Sequence, residues 1–504
     1  MSQSVPLGRP YPADRLPRLG LRRSVAVVLL GTLVACASTE PGGQNGEPRR
    51  PVAEAGADDH ISRLRQLAAK GDPSAQYALG RLFLTGREVR VDKTKALYWI
   101  RRAAEQGMAP AQETLGAMYD EGNGVESDYA EAAHWYRLAA EQGLAKAQFR
   151  LGTLYKEGLG VAQDDAIALD FYRRAAEQGL APAQLELGMH YRSPGEAQDH
   201  SEAVKWFRLA AGQGMGAAEF NLGLAYALGQ GVAPDDAEAA NWYRMAAERG
   251  IAPAQNNLGA MYKNGHGVSQ DLGEAAKWYR LAAEQGNRIG QYNFAVAVGY
   301  GRGVPRDLAQ AREWYRLSAE QGFADAQNNL GAFYLRGVGM DPDYREALKW
   351  YRLAAAQGHP RALHSLGYMY RTGRGVERDH VEAVEWYRKA ADRGLAMAQL
   401  WLGLMHQYGQ GVAQDDGEAA AWFRLAAEQG SATGQLNLGL LYAKGTGVPQ
   451  DLAEAYKWLS LAASRVEEDQ RDDAIAIRDR TAVDMNPEEL VEGRRRAKEW
   501  ERDH

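Results

Sequence analysis

The sequence predicts an all-α protein: a right-handed superhelical α-solenoid of eleven helix-turn-helix repeats of about 36 residues, with helical caps at both ends. Three observations predict it, namely a periodic glycine, an aspartate with the same period, and apolar residues at helical spacing between them. The glycine recurs every 36 residues, with one step of 35, at Gly71, Gly107, Gly143, Gly179, Gly214, Gly250, Gly286, Gly322, Gly358, Gly394 and Gly430. A fixed period of this length is the signature of stacked repeats.

The first helix of each repeat is best seen in the unit that starts at Gly250. Ala254, Leu258 and Tyr262 are four residues apart and therefore share one face of a helix. Gly259 lies inside this helix, where glycine costs about 1 kcal/mol relative to alanine. We expect this glycine to permit close approach of the partner helix. It recurs at Gly80, Gly116, Gly152, Gly188, Gly223, Gly331, Gly367, Gly403 and Gly439.

A short loop and a capped second helix follow. Gly265 and Gly267 supply a helix end and a tight turn, and Val268 is expected to point into the core. Asp271 then opens the second helix as its N-cap, and Glu274 three residues later predicts a capping box. The aspartate recurs in all eleven units and is followed by Glu or Gln in nine of them, all except those of Asp92 and Asp164.

The second helix carries a tryptophan at a fixed place. It recurs at Trp99, Trp135, Trp206, Trp242, Trp278, Trp314, Trp350, Trp386, Trp422 and Trp458, with Phe171 at the remaining position. Together these motifs resemble the Sel1-like repeat, a relative of the tetratricopeptide repeat, from Gly71 to about Arg465. The resemblance implies a stack of helix pairs and says little about the task beyond partner binding.

The ends of the repeat region predict two caps. Ile61, Leu64 and Leu67 are at helical spacing and predict an N-terminal cap helix. At the C-terminus, Asn486 followed by Pro487 predicts a helix start. Leu490 and Trp500 are expected to cover the open face of the last repeat. The predicted organisation is a cap helix at 59–70, repeats at 71–465 and C-terminal cap helices at 466–504.

The N-terminus predicts an export signal. An arginine-rich stretch precedes the apolar run 25–35, which as a helix spans roughly 16 Å, about half of a bilayer core. This length suits a signal peptide rather than a membrane span. Residues 33–36 resemble the bacterial lipobox, so we predict a lipoprotein signal peptide at 1–36 with Cys36, the single cysteine, as the site of lipidation.

Two alternatives remain for this segment. The chain also fits an ordinary secretory signal cleaved after Ala37, and the match to the lipobox could be chance. Residues 37–58 are rich in Pro, Gly and charge without an apolar period, which predicts a disordered tether. The predicted location is the cell envelope, lipid-anchored in the outer membrane and facing the periplasm, with a soluble periplasmic or secreted protein as the alternative.

Composition and motifs argue against several classes of function. There are 59 Lys and Arg against 65 Asp and Glu, without a long basic block, so no nucleic-acid partner is expected. The scattered histidines lack metal-ligand spacing, and the paired carboxylates stand at helix starts, where capping explains them. The sequence therefore predicts no enzyme activity, no metal, no cofactor and no small-molecule substrate. The penicillin-binding members of the family that it resembles belong to a cysteine-rich subgroup. This chain has a single cysteine, so the resemblance does not imply their activity.

The partner-binding surface is predicted on the concave face, lined mainly by the first helices. An asparagine precedes the leucine of the first helix in several units and could hydrogen-bond the backbone of an extended peptide, or else bond a neighbouring turn and serve the fold. These residues are Asn221, Asn257, Asn293, Asn329 and Asn437. The variable neighbours that could give specificity are Phe149, Phe220, Asn256, Tyr292, Asn328, His364 and Leu400. Trp401, alone on a first helix, is either a binding anchor or extra packing between units.

The function predicted from these features is a non-catalytic scaffold or adaptor that binds partner proteins in the bacterial envelope. A periplasmic regulatory binder of a signalling receptor is the alternative, and a cell-wall or β-lactam hydrolase is the least favoured hypothesis. The identity of the envelope partner does not follow from the residues.

Overall fold

The computed structural model describes residues 54–195, 198–465 and 468–504. The predicted signal peptide with Cys36 and most of the predicted tether lie outside these residues. In the described ranges the chain forms 25 α-helices and no strand. None of these helices is long and apolar enough to cross a membrane.

The helices follow one another as eleven hairpins between terminal helices. The first helices of units one to eleven are α2 (Pro73–Thr85), α4 (Ala109–Glu121), α6 (Ala145–Glu157), α8 (Ala181–Arg192), α10 (Gly216–Leu228), α12 (Ala252–Asn264), α14 (Arg288–Tyr300), α16 (Ala324–Arg336), α18 (Pro360–Thr372), α20 (Ala396–Tyr408) and α22 (Ala432–Lys444). The second helices are α3 (Lys93–Glu105), α5 (Tyr129–Glu141), α7 (Asp165–Glu177), α9 (His200–Gly212), α11 (Asp236–Glu248), α13 (Leu272–Glu284), α15 (Leu308–Glu320), α17 (Tyr344–Ala356), α19 (His380–Ala391), α21 (Asp416–Glu428) and α23 (Leu452–Arg465). The terminal helices are α1 (Glu54–Ala69), α24 (Glu468–Val483) and α25 (Pro487–Asp503).

Each helix of the array packs mainly against the helices before and after it in the chain, which is the contact pattern of an α-solenoid. The helix α1 begins at Glu54, so residues 54–58, which the sequence placed in the tether, are helical. Good helix formers such as Glu54 and Ala55 favour this extension. The helices α24 and α25 lie within the segment 466–504 that was predicted to hold the C-terminal caps.

The glycine inside each first helix makes room for an aromatic ring of the second helix. A Cβ on Gly259 would lie 2.8 Å from ring carbons of Tyr279 and 3.1 Å from the backbone oxygen of Ala275. The predicted close approach is therefore confirmed, and the ring of Tyr279 is the group that needs the space. Tyr279 is only 3% exposed, whereas the neighbouring Trp278 is half-buried. The tyrosine, rather than the periodic tryptophan, is the main core residue of the hairpin.

The periodic aspartate caps the second helix, but the capping box is wrong in its other half. Asp271 Oδ1 accepts hydrogen bonds from the backbone N–H groups of Gly273 (2.8 Å) and Glu274 (3.0 Å). The N–H of Asp271, which a capping box would pair with Glu274, instead donates to the carbonyl of Tyr262 at 2.9 Å. This bond joins the two helices of the hairpin, so the carboxylate of Glu274 turns to Lys277 instead. Among the described helices, α25 alone shows the complete box, between Asn486 and Glu489, as predicted there.

The C-terminal helices cover the last unit. Trp500 of α25 lies edge-on to Trp458, with 6.2 Å between ring centroids, and packs against the core cluster that contains Leu461. Arg496 donates to Asp451 Oδ2 at 3.2 Å and Glu454 Oε1 at 2.9 Å, at the start of α23. The covering role predicted for Trp500 is confirmed.

Candidate partner-binding surface

Successive first helices lie side by side and are joined by polar contacts, which makes them one continuous surface, here called the first-helix face. The contacts link neighbouring units among the first seven. They include Tyr77 with Thr114 (3.1 Å), Arg150 with Asp120 (4.0 Å), Lys156 with Glu186 (2.6 Å), Arg192 with Asn221 (2.5 Å) and Asn293 with Asn256 (2.8 Å). A partner that follows this face therefore meets several units in a fixed relative position.

The asparagines predicted as peptide ligands are on this face, and each one also bonds within the fold. Asn221 accepts from Arg192 at 2.5 Å and donates to the carbonyl of Ala217 at 2.7 Å. Asn437 donates to the carbonyl of Thr433 at 2.9 Å. Asn221 is only 6% exposed, so its amide serves the fold, as the alternative prediction had it. Asn437 is half-buried, and an amide with two donors and an acceptor keeps capacity for a further bond there.

Asparagine side chains in units six to eight bond to one another, as a linked set in units six and seven and as a separate pair in unit eight. Asn293 donates to Asn256 Oδ1 at 2.8 Å, and Asn256 in turn donates to Asn257 Oδ1 at 3.3 Å. In unit eight, Asn328 donates to Asn329 Oδ1 at 3.2 Å. Asn257, Asn293 and Asn329 are half-buried, so part of each amide faces the solvent side of the first-helix face.

The variable aromatic positions sit on the core tyrosines. Phe149, Phe220 and Tyr292 lie with their ring centroids 5.5, 5.9 and 5.8 Å from those of Tyr172, Tyr243 and Tyr315. All three side chains are half-buried. Each buried ring of a second helix therefore supports a half-buried ring on the first-helix face. Leu400 is half-buried at the equivalent position.

A cluster of four side chains from units nine and ten, His364, Tyr368, Arg371 and Trp401, forms the most distinctive patch of the face; we call it the arginine–aromatic cluster. The guanidinium carbon of Arg371 lies 3.9 Å from the ring centroid of Trp401 and 5.7 Å from that of Tyr368, at cation–π distance. Arg371 Nε donates to the hydroxyl of Tyr387 at 3.3 Å. Trp401 is nearly parallel to Tyr387, at 6.2 Å, and remains half-exposed.

The cluster carries a single positive charge at neutral pH. Burial, helped by the charge of Arg371, lowers the pKa of His364 to about 4, so that its ring is neutral. Burial raises the pKa of Tyr387 to about 12, and its hydroxyl stays protonated. Arg371 alone is therefore charged among these groups. Trp401 joins units nine and ten, which is the packing role predicted for it, and its role as a binding anchor stays a prediction.

A ladder of glutamine pairs, each with one buried and one exposed member, connects neighbouring units and was missed by the sequence reasoning. In unit two, Gln112 Nε2 donates to the carbonyl of Ala104 at 3.2 Å, and its Oε1 accepts from Gln142 Nε2 at 2.7 Å. Gln142 also donates to the carbonyl of Gly107 in the preceding unit. The same pair of glutamines, 30 residues apart, begins at Gln76, Gln112, Gln148, Gln255, Gln291, Gln327 and Gln399, and 29 apart at Gln184. The repeated Ala-Gln dipeptide was the available signal.

Three units depart from the glutamine pair. Unit five has Glu219 and Arg249 in its place, joined by an ion pair of 3.0 Å. Unit nine has Leu363 and Arg393, and unit eleven has Gln435 and Arg465. Within the described residues, no group of three or more His, Cys, Asp or Glu side chains is arranged to hold a metal ion.

The fold and this surface define a tandem-repeat solenoid of helical hairpins. The chain belongs to the Sel1 repeat family, as the resemblance of its motifs predicted. The model of that family, described as Sel1 repeat, matches eleven consecutive segments: 73–108, 109–144, 145–180, 181–215, 216–251, 252–287, 289–323, 324–359, 360–395, 396–431 and 432–465.

Solved structures of the same kind are similar to this one. The protein c5321 of uropathogenic Escherichia coli, described as a protective antigen with an SLR fold, is 38% identical over 87% of this chain and 94% of its own, with a TM-score of 0.80. A Sel1 repeat protein from Oxalobacter formigenes is 36% identical over 60% of this chain and 88% of its own, with a TM-score of 0.49. A search of the curated proteins gave no match.

Proposed function

We propose that this protein is a non-catalytic scaffold or adaptor that binds partner proteins in the bacterial envelope through its first-helix face. Sel1 repeat solenoids in general serve as protein–protein interaction scaffolds. The observation that carries the proposal is the arginine–aromatic cluster. Arg, Trp and Tyr are the residues enriched at binding hot spots, and here they meet on a half-exposed patch.

The length of the first-helix face indicates which kind of partner it can bind. Asparagine amides in units six to eight and the cluster in units nine and ten are neighbours along the array. An extended segment that follows the face can bond the amides through its backbone and place an apolar or acidic side chain on Trp401 and Arg371. We therefore infer a protein partner with an extended segment rather than a small molecule.

The envelope location rests on the N-terminal sequence. The basic stretch, the short apolar run and Cys36 support an exported protein that is lipid-anchored in the outer membrane and faces the periplasm. The similarity to c5321, described as a protective antigen, is compatible with this location. A soluble periplasmic or secreted protein is the alternative, in which the same face binds its partner without an anchor.

Site-specific photocrosslinking in living cells tests the proposal. A photoreactive amino acid is placed at Asn257 and Tyr368 on the first-helix face and, as matched controls, at His134 and Arg280 on second helices. We expect discrete crosslinked products from the first pair and none from the second. Products from the second helices alone would overturn the proposal. Mass spectrometry of the products distinguishes an assembly of envelope proteins from a signalling receptor, which is the partner of the regulatory alternative.

A further inference from the structure

An open groove lies at the N-terminal end of the array, between α1, the loop after α2 and the start of α3. One part has a volume of about 630 Å³ and an adjoining part about 450 Å³, and both are lined by Arg65, Phe83 and Lys95. We call this the basic groove. It lies apart from the arginine–aromatic cluster, which belongs to units nine and ten.

The floor of the basic groove is apolar. Leu79 and Phe83 are 1% and 7% exposed, and the half-buried Trp99 stands beside them. Val91, at the edge, is 52% exposed. A floor of this kind can receive one aliphatic or aromatic side chain.

The rim is cationic. Arg65, Arg90 and Lys95 line the groove, and the acid among its lining residues is Asp92, which accepts from Lys95 Nζ at 2.9 Å. Three positive groups against one negative group leave a net charge of +2. A ligand with negative groups on both sides of an apolar one complements this arrangement.

One departure from the repeat pattern leaves the groove open. In later units the tyrosine of the first helix receives a hydrogen bond from an arginine of the preceding second helix, for example Arg137 to Tyr155 at 2.9 Å. Arg65 of α1 and Phe83 of α2 stand at the equivalent positions, 72 residues earlier in the sequence. Phe83 has no hydroxyl, so this arginine has no such acceptor.

A second departure gives the groove its charge. Lys95 stands three residues after the N-cap aspartate, where eight other units carry glutamate. A cation in the first turn is unfavourable in the field of the helix dipole. Lys95 Nζ lies 2.9 Å from Asp92 Oδ2 and 5.5 Å from the ring centroid of Phe83, so the charge stands beside the apolar floor. Residues that break a local rule are expected at functional sites.

We propose that the basic groove binds an acidic segment of a partner protein, with an apolar side chain on Phe83 and Leu79 and flanking carboxylates on Arg65, Arg90 and Lys95. The recessed floor favours a peptide over a membrane surface, because a single side chain can enter the groove and a planar layer of head groups cannot. This site is additional to the first-helix face and does not depend on it.

Fluorescence anisotropy with defined peptides tests the proposal on the full-length protein. The probe is a fluorescein-labelled nine-residue peptide with a central phenylalanine flanked by aspartates and glutamates. A peptide with central serine and a peptide with lysines in place of the acids serve as comparison. We expect the acidic phenylalanine peptide to bind at least tenfold more tightly than either of them, and its affinity to fall as salt rises.

Two charge reversals locate the site. Lys95→Glu installs the residue found in eight other units, so the variant is expected to fold, and together with Arg65→Glu it should weaken binding at least tenfold. Lys146→Glu combined with Lys444→Glu, an equal change of charge at exposed positions of α6 and α22, should change the affinity less than twofold. Equal losses in both, or no loss in the groove variant, would overturn the proposal. The proposal would also be overturned if the protein bound phosphatidylglycerol vesicles but not the peptide, and Lys95→Glu abolished the binding to vesicles.

Discussion

Arg249 Nε lies 3.0 Å from both carboxylate oxygens of Glu219, and this carboxylate, in the first turn of α10, is completely buried. The pair occupies the position that two glutamines hold in most units. The ionic pair keeps the geometry of the ladder, because an arginine donor replaces an amide N–H and a carboxylate replaces an amide oxygen.

The exchange predicts a compensating double variant. Arg249→Gln should lower the free energy of unfolding by about 2 kcal/mol, since it removes the charge partner of a buried carboxylate while Arg249 itself is half-exposed. Glu219→Gln combined with Arg249→Gln recreates the glutamine pair and should recover most of the loss. Urea denaturation of the two single variants and the double variant measures the coupling. Additive effects would contradict the pairing.

Replacing glycine with alanine should have opposite effects at two sites, Gly259 inside a first helix and Gly212 at the end of a second helix. Gly259→Ala should destabilise the protein by about 2 kcal/mol, because the new methyl group would lie 2.8 Å from the ring of Tyr279. Gly212→Ala, where a Cβ meets nothing within 4 Å, should stabilise it by about 0.5–1 kcal/mol. Thermal unfolding of both variants distinguishes the packing effect from helix propensity. Equal behaviour at the two sites would refute the packing argument.

His364 predicts a pH dependence of stability. Its folded-state pKa of about 4 is below the ordinary value of 6.5, so the unfolded chain binds more protons between these values. The contribution of the neutral ring is complete above pH 6.5 and is lost as pH falls towards 4, by up to about 3 kcal/mol. His364→Phe, which installs the residue type of Phe149 and Phe220, should abolish this part of the dependence. The measurement is Tm against pH for both proteins, and parallel curves between pH 7 and 4 would count against it.

Replacing Trp401 should weaken partner binding. Trp401→Ala removes the ring over Arg371 and should weaken the partner by tenfold or more, or about 1.4 kcal/mol. Trp422→Ala, on the second helix of the same unit and equally half-buried, is the matched control and should leave binding intact. Binding is measured on the partner found by crosslinking, with circular dichroism to verify folding. An equal effect of both changes would show that Trp401 acts only through packing.

Cys36 predicts the form of the protein in the cell. Cys36→Ala should abolish incorporation of a palmitate analogue and leave the protein unprocessed or soluble, because the thiol is the acceptor of the acyl chains in the lipobox interpretation. Labelling and cell fractionation measure this outcome. A wild-type protein that carries no lipid and is cleaved after Ala37 would instead establish the secretory alternative.

The period of the sequence was enough to predict the hairpins and their aspartate caps, since both depend on residues close in the chain. The capping box failed at Glu274 because the N–H of Asp271 has a partner in the other helix, the carbonyl of Tyr262, which no local pattern specifies. Trp401 was predicted as a candidate anchor because it is unusual in its position. The contact of Arg371 with this ring was not predicted, since the distance between them depends on how two units stack.

The paired glutamines also bear on how such an array changes in length. Both members of a pair belong to one hairpin, as do Glu219 and Arg249, so a duplicated or deleted unit carries its own matched partners with it. The glutamine bonds that cross a boundary, such as that from Gln142 to the carbonyl of Gly107, use a backbone acceptor that every unit supplies. A whole hairpin can therefore be gained or lost without breaking a glutamine pair, and an unusual pair can persist in one unit without any change in the pairs of its neighbours.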